Sequence, residues 1–186
     1  DVEEIGVKID WNINDNHRAT FRYSTMEEIV PKFPGIGSGN ISLSSHWYDQ
    51  NKEFTSIVGE LFSDWTPNFS TEFKVSQREY DSIANPYANL PYIQVRGIGD
   101  NNAAIRFGTE QNRHTNVIET EQLSLFGAAT WYLGDHTIKF GFDHERNDVL
   151  NFYGRNLNGV WTFNSIDDFE EGLATQYQVR APRPGG

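Results

Sequence analysis

The chain has 186 residues, a net charge of −11, no cysteine and a hydrophobic fraction of only 37%. The acidic balance argues against a nucleic-acid partner, whose phosphates favour basic surfaces. The lack of cysteine excludes disulfides and thiolate metal sites, and no run approaches the 18 apolar residues of a membrane-spanning helix. Aromatic residues nevertheless make up 14% of the chain against a mean hydropathy of −0.60. A polar but aromatic-rich sequence suits either a soluble all-β domain with long polar loops or a transmembrane β-barrel with aromatic girdles. Opening on Asp1-Val2-Glu3-Glu4, with no basic-then-apolar leader, the sequence reads as a processed product or an excerpt.

The first predicted element is a hairpin. Ile5, Val7, Ile9, Trp11 and Ile13 alternate with Lys8, Asp10 and Asn12, the turn Asn14-Asp15-Asn16 follows, and Ala19, Phe21 and Tyr23 return opposite Arg18, Thr20, Arg22 and Ser24. A period of two across so short a turn predicts two antiparallel strands with one dry and one wet face. Residues 27–43, with Pro31, Pro34, Gly35, Gly37 and Gly39, read as a long connection. A second hairpin turns at Thr66-Pro67-Asn68, between Ile57–Trp65 and Ser70–Ser76. Residues 84–112, with Pro86, Pro91, Gly97, Gly99 and Asp100-Asn101-Asn102, form another long connection. A third hairpin turns at Gly134-Asp135-His136. Leu125 and Trp131 lie on one face before it and Phe126 and Tyr132 on the other. After it, Ile138, Phe140 and Phe142 oppose Lys139, Gly141 and Asp143. The tail offers a short strand at Val160–Phe163 and a helical turn at Ser165–Glu171, with Ser165 placed to cap it and Asp168 three residues on. From Arg180 to Gly186 there is no core-forming pattern.

Connections that alternate short and long predict an up-and-down antiparallel sheet with tight turns at one end and long loops at the other, as outer-membrane barrels have; a soluble sandwich scatters its loop lengths over both ends. Trp47–Phe54 and Arg113–Gln122 extend two strands beyond the 9–11 residues that cross a bilayer. Trp11, Trp65, Phe69, Trp131 and Tyr132 cluster near the short turns, where a membrane interface would run. Lipid is therefore the expected destination of Ile5, Val7, Ile9, Phe21 and Tyr23, and water or a plug that of Lys8, Arg22, Glu72, Lys74 and Lys139. Acid clusters at Asp167, Asp168, Glu170 and Glu171; it serves solubility, or faces an exterior rich in divalent cations.

Two stretches, Lys8-Ile9-Asp10-Trp11-Asn12-Ile13-Asn14-Asp15-Asn16-His17 and Phe126 to Gly141 (FGAATWYLGDHTIKFG), resemble TonB-dependent outer-membrane receptors. They resemble in particular the Oar-like group, which carries a carboxypeptidase-regulatory-like domain before its plug. The run from Gly159 to Gly172 (GVWTFNSIDDFEEG) is similar to an element seen in the extracellular parts of such barrels. The resemblance implies a 22-stranded barrel closed by an N-terminal plug, with outer-membrane lipid, the rest of the barrel, the plug and, through it, the TonB complex as partners. Residues 1–186 are then expected to be a partial barrel domain of about six strands, without the plug or the terminal strand. It is an internal slice that would not stand alone in water.

No catalytic constellation is found. His144-Glu145 is followed by Asp148 where a metalloprotease helix needs histidine, and no nucleophile elbow or P-loop occurs. Asp100-Asn101-Asn102 does not complete a calcium loop. Gly35-Ile36-Gly37-Ser38-Gly39 and Gly97-Ile98-Gly99-Asp100 read as flexible loops. The segment is thus expected to be no enzyme and to hold no cofactor or metal. Candidate ligand-binding residues are the loop aromatics and arginines Trp47, Tyr48, Tyr87, Tyr92, Arg96, Arg106, Arg113, Tyr153 and Arg155; loop bracing explains the same composition. A peptide, glycan, siderophore or cobalamin would each suit such loops. An adhesion or secretion-linked barrel, and a soluble all-β binding domain whose apolar stripes close on each other, remain the competing readings.

Overall fold

The computed structural model describes residues 1–99 and 101–181. In chain order the elements are β1 (Val2–Asn14), β2 (His17–Lys32), β3 (Asn40–Ser42), a 3₁₀ turn (Ser44–His46), β4 (Tyr48–Thr66), β5 (Phe69–Pro86), β6 (Tyr92–Ile98), β7 (Ala103–Phe107), β8 (Thr115–Leu133), β9 (His136–Gly154), β10 (Val160–Phe163), α1 (Ile166–Glu170) and β11 (Gln176–Gln178). They make two sheets. Six long strands form an antiparallel meander, β1-β2-β4-β5-β8-β9, and five short ones form a mixed sheet, β11-β10-β6-β7-β3. The first is a wall, and the second a cap built from the chain that leaves the wall's long-loop end.

The wall follows from the period-two pattern, and its register puts the apolar stripes that flank the three tight turns on one face. Ile9, Phe21, Gly59, Val75, Leu125 and His144 share one ladder row, and Trp11, Ala19, Leu61, Phe73, Gly127 and Phe142 the next. The row Asp10, Thr20, Glu60, Lys74, Phe126 and Asp143 lies on the other face. There, opposite charges pair directly across strands, Lys52 with Glu28 at 2.6 Å and Lys74 with Glu60 at 2.9 Å. The apolar face is bare: Ile9 is 56% exposed and Phe140 60%. What the wall buries is mainly small polar residues between longer neighbours, among them Ser56, Ser76 and Ser82. Apolar residues outside and paired charges inside are the inverse of a water-soluble sheet and the pattern of a barrel wall.

The edges of the apolar band run obliquely to the ladder. The closing pairs Asn14–His17, Thr66–Phe69 and Leu133–His136 step outward by two residues at each successive hairpin. At the other edge the first charged residue steps the same way. It falls in the row of Glu3, Glu27 and Glu53, then one row nearer the turns at Glu79 and Glu121, then one nearer still at Arg146. Four residues of rise, about 13 Å, over four strand spacings, about 19 Å, correspond to a band inclined by roughly 35°. Barrel strands tilt by about 35–45° to the membrane normal. At that tilt, the stretch from Ile5 to Ile13 on β1 covers roughly 22 Å of height, close to the ~25 Å apolar band of an outer-membrane barrel. Aromatic side chains line the short-turn edge: Trp65 Nε1 donates to Thr71 Oγ1 at 2.9 Å and faces His17 edge-on, and Phe69 meets Trp131.

The cap has the burial that the wall lacks. Its apolar side carries Ile93, Val95, Ile105, Phe107, Trp161 and Phe163 in register across β6, β7 and β10. Helix α1 covers this side by setting Phe169 edge-on against Phe107 and Phe163, with centroids 5.7 and 5.2 Å apart. As the sequence suggests, Ser165 caps the helix: its Oγ accepts from the Asp168 N–H at 3.0 Å. The acidic residues Asp167, Asp168, Glu170 and Glu171 lie on α1 and at its end, and among the described residues no group of three or more His, Asp or Glu side chains is arranged to hold a metal ion.

The connections correct the sequence reading in three places. Strand β2 continues through Pro31 to Lys32, so the first connection begins later than residue 27. Beyond Ile29 the β1 side of β2 has no partner, so the missing proline N–H leaves no ladder bond unmade. Likewise β5 runs on to Pro86. The segments expected to be flexible loops are instead built into the cap. Gly97 and Gly99, at φ +70° and +64°, close the β6–β7 hairpin, and Gly37 bridges to Asn40 at the entry of β3. Two of the cap's pairings, β3 with β7 and β6 with β10, are parallel, a departure from a purely antiparallel fold. Of the Asp100-Asn101-Asn102 run, Asp100 lies outside the described residues, as do residues 182–186 of the tail; Gln176–Gln178, upstream of that tail, is strand β11.

Candidate functional site

The cap's second face is polar. The register places Ser42, Arg106, Gln94, Thr162 and Gln176 in one row across all five strands, and Tyr92, Val160 and Gln178 in the row beside it. Apart from Ser42, these residues line a cavity of about 250 Å³, to which Pro34, Gly35, Arg96, Glu110 and Gln111 also contribute. Three of the nine candidate residues, Tyr92, Arg96 and Arg106, come together here. Each falls on the even-numbered side of its strand, so alternation on β6 and β7 aims all three at the same space.

The floor is fixed by hydrogen bonds. His46, buried at the end of the 3₁₀ turn, stacks on Tyr92 with ring centroids 5.0 Å apart, and its Nδ1 lies 3.0 Å from the Gly108 carbonyl. A carbonyl only accepts, so the proton sits on Nδ1 and Nε2 keeps its lone pair. Burial, with a smaller push from the Arg106 guanidinium, holds the imidazole below its ordinary range and therefore neutral. Gly108, at φ +75°, is the residue that allows this: a Cβ there would strike the Pro91 carbonyl. The Tyr92 hydroxyl donates to Gln94 Oε1 at 2.9 Å, and burial raises the phenol's pKa.

Arg106 is the unusual member. Its Nε is buried and makes no hydrogen bond, and among the described residues no carboxylate lies within ion-pair distance of it. The nearby Glu110 is already engaged, its two oxygens accepting from Asn112 N and Nδ2 at 2.9 and 2.8 Å. Gly35, at φ +80°, packs over the Arg106 side chain, where an added Cβ would stand 3.2 Å from Cδ. The guanidinium thus stands at the cavity without an ion-pair partner among the described residues, a state that favours an incoming anion.

The other six candidates lie apart from the cavity, four of them as braces. Trp47 Nε1 donates to Ser42 Oγ at 2.9 Å and its ring meets Phe33 edge-on. Arg113 stacks over Tyr48 at 5.2 Å. Tyr87 donates to Asp49 Oδ1 at 2.8 Å, a bond that raises its pKa. Tyr153 and Arg155 reach the segment before β8: the Tyr153 hydroxyl donates to Asn112 Oδ1 at 2.6 Å and Arg155 Nη2 to Gln111 Oε1 at 3.4 Å. These two also line a shallow groove with Arg180. Tyr48 and Tyr153 stand on the polar face of the wall, so residues 110–113 lean over that face. His114 completes the brace. Its Nε2 lies 3.3 Å from the Thr109 carbonyl and must donate, and its Nδ1 accepts from Asn158 N at 3.0 Å.

Sequence reasoning missed His46, Gln94, Glu110, Gln176 and Gln178. For Gln94 the signal was present, as the middle member of Tyr92-Gln94-Arg96 at period two. The glutamines of β11 carried none, because a three-residue strand has no periodicity to read.

No curated protein and no solved structure matches this chain. The family model described as an outer membrane beta barrel domain matches residues 1–184. With its apolar face turned outward, its inclined band and its alternation of tight turns and long connections, the chain belongs to the outer membrane beta barrel domain family and to the bacterial outer membrane.

Proposed function

We propose that this chain forms part of the wall and the extracellular cap of a TonB-dependent, Oar-like receptor, which captures a ligand outside the cell and admits it through the barrel. The observation that carries the reading is the cap itself. Both long connections and the segment after β9 fold into one sheet instead of remaining separate loops, and that sheet holds a polar cavity lined by an arginine without an ion-pair partner among the described residues. Adhesion needs only an exposed outer surface; here residues 110–113 lie over the wall's charged inner face, where a transported molecule would pass. The segment binds and conducts, and carries out no chemistry. Partners on this reading are membrane lipid, the rest of the barrel, a plug and, through it, the TonB complex. The sequence resemblance supports the energy coupling.

The test compares cells carrying the intact gene, a version with residues 88–112 replaced by a short Gly-Ser turn, and an intact gene in a TonB-deficient background. Uptake of labelled low-molecular-weight compounds from the native medium should fall in both altered strains. If the cap replacement abolishes attachment to surfaces while loss of TonB changes nothing, the protein is an adhesion barrel.

A further inference from the structure

The cavity's chemistry narrows what it holds, and this inference rests on reading the cap as a receptor. In a chain of net charge −11, the cavity reverses sign locally: Arg96 and Arg106 both line it, and its single carboxylate, Glu110, is occupied by Asn112. Arg106 lines the cavity with no carboxylate within ion-pair distance among the described residues, and a guanidinium at a cavity is matched by a planar oxyanion, above all a carboxylate, which accepts two parallel N–H bonds. Most of the remaining lining consists of amides and hydroxyls. Gln94, whose Oε1 accepts from the Tyr92 hydroxyl, shares a row with Thr162 and Gln176, while Gln178 occupies the next row. Adjacent strands set these groups about 4.8 Å apart, comparable to the width of one hexose ring. A side-chain amide both donates and accepts, as a sugar hydroxyl does. The neutral His46 adds an acceptor at Nε2. The apolar share of the lining is small and offers no pocket that would bury a peptide side chain.

We infer that this cavity takes a carboxylated sugar, its carboxylate paired with Arg106 and its hydroxyls with the amides of Gln94, Gln176 and Gln178. The ligand class is an acidic glycan of the uronic-acid kind, engaged one ring at a time in the cavity.

The test uses the protein extracted from outer membranes in detergent and three probes by calorimetry: trigalacturonic acid, its neutral counterpart trigalactose, and a tripeptide containing glutamate. The acidic trisaccharide is expected to bind at least tenfold more tightly than the neutral one. Arg106→Gln should erase that preference, Arg106→Lys should restore part of it, and Lys139→Gln on the wall should leave it intact. Heat-modifiable migration on gels reports whether each variant keeps its barrel, and proteolysis of the cap reports whether the cap stays folded. Equal affinity for the two trisaccharides, a preference that survives Arg106→Gln, an equally tight Arg106-dependent tripeptide, or no binding of either sugar would each overturn the inference. In all four cases, uptake that still depends on the cap and on TonB leaves the receptor reading standing. Loss of that dependence, with trigalacturonic acid still bound through Arg106, removes transport and keeps the sugar site.

Discussion

The wall and the cap are both β-sheets cut from the same acidic chain, and they are held together by opposite means. Among the described residues six hydrophobic ones are buried: five (Tyr92, Val95, Ala104, Val160 and Phe163) belong to the cap, and only Ala84 lies in the wall. The cap folds as a small water-soluble domain does, with an apolar side under a helix and a polar side holding a cavity. The wall's apolar residues stay uncovered and derive their stabilisation from lipid. Surface that would mark an aggregation hazard in the cap is therefore the functional exterior of the wall.

The sharpest way to break this contrast is a substitution that unfolds one sheet and spares the other. Gly108→Ala forces a side chain into the left-handed region and against the Pro91 carbonyl. It should cost the cap more than about 4 kcal/mol. Limited proteolysis should then cut between residues 87 and 114 while the barrel keeps its heat-modifiable migration; a cap that stays resistant would contradict this account. Next in size is Phe21→Arg, near the middle of the apolar band. It should destabilise the wall by about 2–4 kcal/mol in denaturant titrations in phospholipid vesicles. Thr20→Arg, one residue away on the inner face, should change stability by less than about 1 kcal/mol. Equal effects at the two positions would mean that the apolar face is not the lipid face.

Acid should separate the two sheets more gently. Burial holds His46 and His114 below the ordinary imidazole value of 6.5. Glu110, which faces His114, opposes the shift, and Arg106 adds to it at His46. Because the folded cap disfavours the protonated rings, their contribution to stability is complete above pH 6.5 and declines as pH falls toward their lowered folded values. Protonated His114 can no longer accept from Asn158 N. Hydrogen exchange at residues 109–114 and 156–159 should therefore accelerate between pH 7.5 and pH 5, while exchange in the wall's ladder should show no matching acceleration once corrected for intrinsic rates. His114→Gln should flatten most of that pH dependence near Asn158. The smallest effect expected is that of Ser165→Ala, which removes the cap of a five-residue helix and should cost about 1 kcal/mol, seen as faster exchange at Asp168.

How much of this was legible in the sequence divides along the same line. The wall was readable because a two-sided environment imposes strict alternation. Ile5 to Ile13 and Ile57 to Trp65 announce their faces, and tight turns of Asn, Asp, Pro and Gly fix which strands pair. Of the cap, only β10 and the Ser165-capped helix were readable, because its strands are three to seven residues long, two of its pairings are parallel and non-local, and its Gly and Pro residues look like loop punctuation. Tyr92, Arg96 and Arg106 stood out by residue type. That they converge depends on the register of Gln94 with Arg106, which no local pattern encodes.

The two parallel pairings carry one more consequence. Strand β3 belongs to the first long connection, β6 and β7 to the second, and β10 to the segment after β9, so the ladders β3–β7 and β6–β10 lace the three segments together. No single connection can swing aside without tearing a ladder shared with its neighbour. The long-loop end of this part of the wall therefore carries one leaf in place of separate fingers, and it holds or gives way as a unit.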